Sequence, residues 1–126
     1  MARIEGYVDR STSAPFVKIK MISPTDEEIE LPAMIDTGYN GEVILSEERI
    51  QTLGLEFLGT IDTELADGEI VELALFKGRI KWFNKIREIA VGSSRSEDTL
   101  LGTLLLVGCE LGINFKEGWV RIDQLS

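Results

Sequence analysis

Histidine is absent from the chain, and cysteine occurs once, as Cys109. Without histidine there is no Ser-His-Asp or Cys-His catalysis and no histidine-based zinc site. One cysteine allows neither an internal disulfide nor a thiolate metal cluster. Cys109 stands in the apolar run Leu104 to Gly112, surroundings that predict a buried, inert thiol. No run of about 18 apolar residues occurs, so no membrane span is expected. Met1 to Arg10 lacks the basic start, apolar middle and small-residue cleavage site of a secretory signal. A cytoplasmic protein is therefore expected. Cations are scarce: 13 Lys and Arg stand against 22 Asp and Glu, a net charge of −9. That excess argues against nucleic acid and against an anionic membrane surface, and reads as solubility. Any catalysis is left to carboxylates, hydroxyls or lysines, with no metal and no cofactor expected.

What the chain does have is enough apolar material for a core. At 126 residues, 44% of them hydrophobic, it reads as one domain spanning residues 1–126. A chain of that length buries close to two-thirds of its unfolded surface by the usual scaling with size. It is organised around Pro32-Ala33-Met34-Ile35-Asp36-Thr37-Gly38-Tyr39-Asn40-Gly41. An apolar run there delivers an aspartate, a threonine and a glycine into a tight turn. Gly38 and Gly41 let the backbone take a positive φ or come close to another segment. A carboxylate at such a strand end, among backbone N–H groups and a hydroxyl, is oriented by hydrogen bonds. Asp-Thr-Gly alone is short enough to recur by chance as an ordinary Asx-type turn, so its flanks decide its meaning.

Arg3 to Asp9 alternates, with Ile4 and Val8 on one face, and predicts a half-buried or edge strand. Ala14 to Ile22 predicts a second strand and Ser23 to Asp26 a turn. Glu27 to Ile35 alternates with Ile29, Leu31, Ala33 and Ile35 inward, and Pro32 implies an edge position or a bulge. Glu42 to Leu45 is a short apolar strand. Ser46 is placed to cap a helix over Glu47 to Leu53, with Glu47 and Glu48 in its first turn and Gly54 ending it.

Leu55 to Ala66 and Glu69 to Phe76 form a hairpin around Asp67-Gly68. Lys77-Gly78 predicts a turn into Arg79 to Phe83, and Asn84-Lys85 a turn into Ile86 to Val91. Gly92 to Asp98 reads as a polar loop. Thr99-Leu100-Leu101-Gly102 leads to a short helical stretch, Thr103 to Val107. A last hairpin joins Glu110 to Phe115 with Trp119 to Ile122. Many short strands with turns every eight to twelve residues predict an all-β fold, a closed or sandwiched domain with one or two short helices. Met34-Ile35-Asp36-Thr37-Gly38 is echoed by Leu100-Leu101-Gly102: each ends a buried strand at a glycine, and only the first carries an aspartate.

These residues resemble the retropepsin-like aspartic proteases, the single-domain relatives of the retroviral proteases. Four features match in order over roughly residues 15 to 122. They are Ile35 to Gly41 with Val43-Ile44-Leu45, the helix Ser46 to Leu53 closed by Gly54, the hairpin around Asp67-Gly68, and Leu100 to Leu105 leading to Cys109-Glu110-Leu111. The resemblance implies a closed acid-protease barrel with Asp36 as the catalytic aspartate. It implies that Thr37 bonds across a twofold axis and that Gly38 brings its N–H to the carboxylate. Ala66, Asp67, Gly68 and Glu69 would form the tip of a flap over substrate, and Leu100, Leu101 and Gly102 would pack beneath the active-site turn. Tyr39, Asn40 and Leu104 depart from the pattern of the retroviral members, as do the acidic residues at the flap tip. Against the family pattern these departures imply a narrower pocket beside the catalytic aspartate and the loss of an acid–base brace, and they leave substrate preference, and to a lesser degree activity, open.

Hydrolysis by carboxylates alone needs two of them, and the chain offers one Asp-Thr-Gly. The resemblance therefore implies a homodimeric endopeptidase acting on peptide or protein, with Asp36 facing Asp36 of a second copy. Arg3 to Asp9 and Glu110 to Ile122 are the expected interface, because edge strands need partners. Two other readings stand beside it. One is a catalytically weak or inactive peptide-binding or dimerisation domain on the same fold. The other is an unrelated β-barrel in which Asp36 is only a turn residue.

Overall fold

The computed structural model describes residues 2–126. The elements in chain order are β1 (Arg3–Asp9), β2 (Ala14–Ile22), β3 (Glu28–Ile35), β4 (Val43–Ser46), α1 (Glu47–Leu53), β5 (Glu56–Glu64), β6 (Ile70–Trp82), β7 (Lys85–Ser94), β8 (Leu100–Leu101), a 3₁₀ turn (Thr103–Leu106), β9 (Cys109–Asn114) and β10 (Trp119–Gln124). All ten strands belong to one sheet in the order β5-β6-β7-β4-β8-β3-β2-β1-β10-β9, and β6 also pairs with β2. That extra pairing, Met21 opposite Ile80, closes β2, β3, β8, β4, β7 and β6 into a six-stranded barrel. β5 extends the sheet beyond β6 on one side; β1, β10 and β9 extend it beyond β2 on the other.

Period-two alternation fills the barrel. Val17, Ile19 and Met21 of β2 face Leu31, Ala33 and Ile35 of β3, and Val43, Leu45, Ile80, Trp82, Val91 and Leu101 complete the interior. Side chains of this size contribute about 1.5–3 kcal/mol each when fully buried. Helix α1 lies outside and lends Ile50 and Leu53 to the same core. No helix is long and apolar enough to cross a membrane.

Several expectations need correction. Lys77-Gly78 makes no turn: β6 runs unbroken through it, with Gly78 opposite Ile89 of β7. Gly78 is buried, and a Cβ there would lie 2.6 Å from Val91 Cγ2, so it is selected by close packing inside the barrel. The turn after β6 falls one residue early, on Phe83 and Asn84, both with positive φ. Gly92, Ser93 and Ser94 continue β7 instead of starting a loop, because β4 pairs with them in parallel from Val43–Val91 to Ser46–Ser94. The strand leading to the β5–β6 tip stops at Glu64, short of Ala66.

The terminal strands form one antiparallel ladder. β1 pairs with β10 over residues 3–7 and with β2 over residues 7–9, and β10 lies between β1 and β9. β9 keeps a free edge along its length, and residues 3–6 of β1 have a partner strand on one side only. Cys109 is half-buried, not fully buried, with its thiol pKa raised by burial. Pro32 lies in the stretch of β3 that has β2 on one side and no partner strand on the other, as an edge proline should.

Candidate active site

β3 and β8 run side by side in parallel, Met34 opposite Leu100 and Ile35 opposite Leu101. The internal echo in the sequence is thus a physical pairing: the two strands end together and release their glycine turns at the same end of the barrel. The Asp36 N–H continues the ladder by donating to the Leu101 carbonyl at 2.9 Å. The chain then turns back on itself. Asp36 Oδ1 accepts from the Gly38 N–H at 2.9 Å, and the Asp36 carbonyl accepts from the Tyr39 N–H at 3.1 Å. Asp36 is half-buried, and Thr37 and Gly38 are exposed. Neither Gly38 nor Gly41 has a positive φ, so the turn uses their small size.

The segment after β8 clasps this turn from below. Gly102 N–H donates to the Glu42 carbonyl at 2.8 Å, Thr103 N–H to the Tyr39 carbonyl at 2.9 Å and Leu104 N–H to the Gly41 carbonyl at 3.1 Å. The Thr103 hydroxyl adds a bond to the Tyr39 carbonyl at 3.2 Å. So close an approach leaves no room for a side chain at position 102. A Cβ there would collide with the Gly41 carbonyl oxygen and lie 2.6 Å from Tyr39 Cδ2. Asp36, Thr37 and Gly38 are therefore brought together with Leu100, Leu101 and Gly102.

Across from the turn stands the β5–β6 hairpin. Its tip is a three-residue loop: Gly68 N–H donates to the Leu65 carbonyl at 2.9 Å and Leu65 N–H to the Glu69 carbonyl at 2.7 Å, with Gly68 at φ 86°. Asp67 Oδ1 caps the loop by accepting from the Glu69 N–H at 2.9 Å. A groove of about 810 Å³ separates the hairpin from the turn. Gly38 to Glu42 and Leu104 line one side and Ile61 to Ala66 the other. Of the four tip residues expected over a substrate, only Ala66 lines this groove; Asp67, Gly68 and Glu69 point their exposed loop beyond it.

Sequence reasoning missed Glu42. Its side chain is only 13% exposed, and Oε1 accepts from the Ala90 N–H of β7 at 3.0 Å while Oε2 lies 3.7 Å from Arg87. An acid directly before an apolar strand was the available signal. Burial first, and the Glu42 charge second, push the Tyr39 phenol above its ordinary pKa, keeping its O–H protonated. Among the described residues, no group of three or more His, Cys, Asp or Glu is placed to hold a metal ion.

No protein-family model and no curated protein matches the chain. Solved structures do. A retropepsin-like aspartic protease from Rickettsia conorii superposes with a TM-score of 0.65 at 18% identity, over 97% of this chain and 90% of the other. The EIAV protease, solved with the inhibitor HBY-793, superposes with a TM-score of 0.58 at 18% identity, over 75% of this chain and 86% of the other.

Proposed function

We propose that this chain, whose fold is that of the retropepsin-like aspartic proteases, is a homodimeric aspartic endopeptidase. The observation that carries the reading is the Asp36 turn. A half-buried carboxylate stands at the end of a core strand, oriented by the Gly38 N–H and clasped by the segment from Leu101 to Leu104. Gly38, two residues on, lines a groove of about 810 Å³ between the turn and the hairpin.

One carboxylate is half of the chemistry. An ionised carboxylate takes a proton from water while a protonated one polarises the scissile carbonyl. As is established for aspartic proteases generally, two carboxyls about 3 Å apart share one proton because both cannot ionise. A second copy related by a twofold axis supplies the partner, Asp36 opposite Asp36. In this reading exposed Thr37 bonds across the axis, and Gly38 presents its carbonyl to substrate. Leu100, Leu101 and Gly102 support the turn. The β5–β6 hairpin, with Ala66 to Glu69 at its tip, is the flap. Substrate adds strand-type hydrogen bonds between flap and floor. The free edge of β9 is where the second copy docks, since β1 and β10 are already paired.

Asp36→Asn tests this. Cleavage of a peptide library should fall by about 10²–10⁴-fold, with the thermal midpoint and the dimer unchanged. Undiminished turnover in the variant overturns the mechanism. The exposed acids Asp67 and Glu69 at the tip favour a second reading, a peptide-binding domain without turnover. That reading predicts no cleavage by the wild type and no tight binding of a statine-type peptide.

A further inference from the structure

Three glycines from three separate elements converge on one phenol. A Cβ on Gly41, in the active-site turn, would collide with the Tyr39 hydroxyl and Cζ and lie 2.9 Å from Cε2. A Cβ on Gly102, after β8, would lie 2.6 Å from Tyr39 Cδ2. A Cβ on Gly92, in β7, would lie 3.2 Å from the Tyr39 hydroxyl, 3.2 Å from Leu73 Cδ2 and 3.3 Å from Ile44 Cγ1. The ring therefore packs against the backbone of the turn, of β7 and of the segment after β8. It is half-buried, it lines the groove, and the backbone of Tyr39 is fixed at both ends by bonds to Asp36 and Thr103.

The geometry points to Tyr39 as the residue that sets side-chain size in the groove: its ring occupies the subsite over Gly38 to Glu42, so the peptide that binds carries a small residue (Gly, Ala or Ser) at that position. The inference rests on the reading of the groove as a peptide site and deepens it. A pocket filled by protein excludes a substrate side chain by overlap. Even one methylene of misfit is worth about 10–200-fold in selectivity. A whole ring excludes aromatic and long aliphatic side chains outright, and the same volume becomes available to them once the ring is removed.

The test separates this inference from the proposed activity. A randomised peptide library is selected for binding to Asp36→Asn and, separately, to Asp36→Asn carrying Tyr39→Ala, Tyr39→Leu or Tyr39→Phe. Folding of each is checked by circular dichroism. Asp36→Asn should enrich small residues at one position. The Ala and Leu forms should enrich Phe, Tyr or Leu at that same position by at least about tenfold. The Phe form, which keeps the ring, should keep the small-residue profile. An unchanged profile after truncation, no small-residue position in Asp36→Asn, or no enrichment by any form overturns the inference. If the truncated forms do not fold, the Asp36→Asn profile decides alone. Wild-type cleavage is scored in parallel. Absent cleavage with a shifted profile sinks the protease reading and keeps the role of Tyr39; cleavage with a fixed profile does the reverse.

Discussion

Gly102 carries the architecture of the turn by what it lacks. Its N–H, and those of the two residues after it, reach carbonyls of the loop after Asp36 only because no Cβ intervenes. Its φ is −95°, so alanine would suffer from crowding and not from backbone strain. Gly102→Ala should therefore cost about 3 kcal/mol, the upper range for overpacking a tight site. Urea unfolding measures that loss, and any cleavage activity should fall with it. A second residue-scale prediction concerns pH. Arg3 and Asp123 face each other across β1 and β10, with Nε–Oδ1 at 2.6 Å and Nη2–Oδ2 at 3.2 Å. The hydrogen bond from Arg3 holds the Asp123 carboxyl below its ordinary pKa. A depressed carboxylate stabilises the fold above its unfolded pKa of about 3.9 and loses that contribution as pH falls from there through its lower folded-state value. Asp123→Asn should lower the melting temperature at pH 6 and converge with the wild type toward pH 2, as followed by thermal melts across that range.

At the scale of elements, local chemistry and tertiary context divide cleanly. Helix α1 forms where its caps stand: Ser46 Oγ accepts from the Arg49 N–H at 3.1 Å, and Gly54 takes φ 70° with its N–H on Ile50 and Gln51 carbonyls. Both signals act within a turn of the residue that sends them, so Glu47 to Leu53 was legible to the residue. Ser46→Ala should cost about 1 kcal/mol, read as a shift in the urea midpoint. Gly78 is the opposite case. Lys-Gly between two apolar runs reads as a turn, yet the chain passes straight through because β5, β7 and β2 all pair with β6 along its length. Ser93 and Ser94 likewise become strand only because β4 lies parallel beside them. No local pattern announces a neighbour some fifty residues away in the chain.

The sheet closes as a barrel and ends in two edge strands, β5 and β9. β5 borders the groove. β9 is flanked by exposed apolar residues: Val107 is 74% exposed, Phe115 60% and Leu125 50%. Leu104, 49% exposed, lines the groove. In the proposed dimer a second copy seated on β9 covers them. Val107→Asp should then weaken self-association at least about tenfold, and cleavage per chain should fall on dilution in step with the dimer fraction. With each copy at −9, raising salt from 0.05 to 0.5 M should tighten the dimer by screening like charges. Sedimentation equilibrium measures both effects. A monomer at every concentration, with undiminished cleavage, would refute the paired-carboxylate mechanism.

By itself the sequence settled what acts over short range. The absence of histidine and the single cysteine narrowed any chemistry to carboxylates, hydroxyls or lysines, period-two alternation marked the strands, and Ser46, Gly54 and Asp67-Gly68 marked the cap, the stop and the hairpin. Tertiary structure alone decided what depends on segments meeting. It set β8 beside β3 so that Leu101 holds Asp36, aimed Glu42 at β7, paired β1 and β10 within the protomer, and seated the Tyr39 ring on three glycines. The physical reason is range: caps and turns are satisfied by neighbours in the chain, whereas pairing and packing are satisfied by whatever the closed barrel brings alongside.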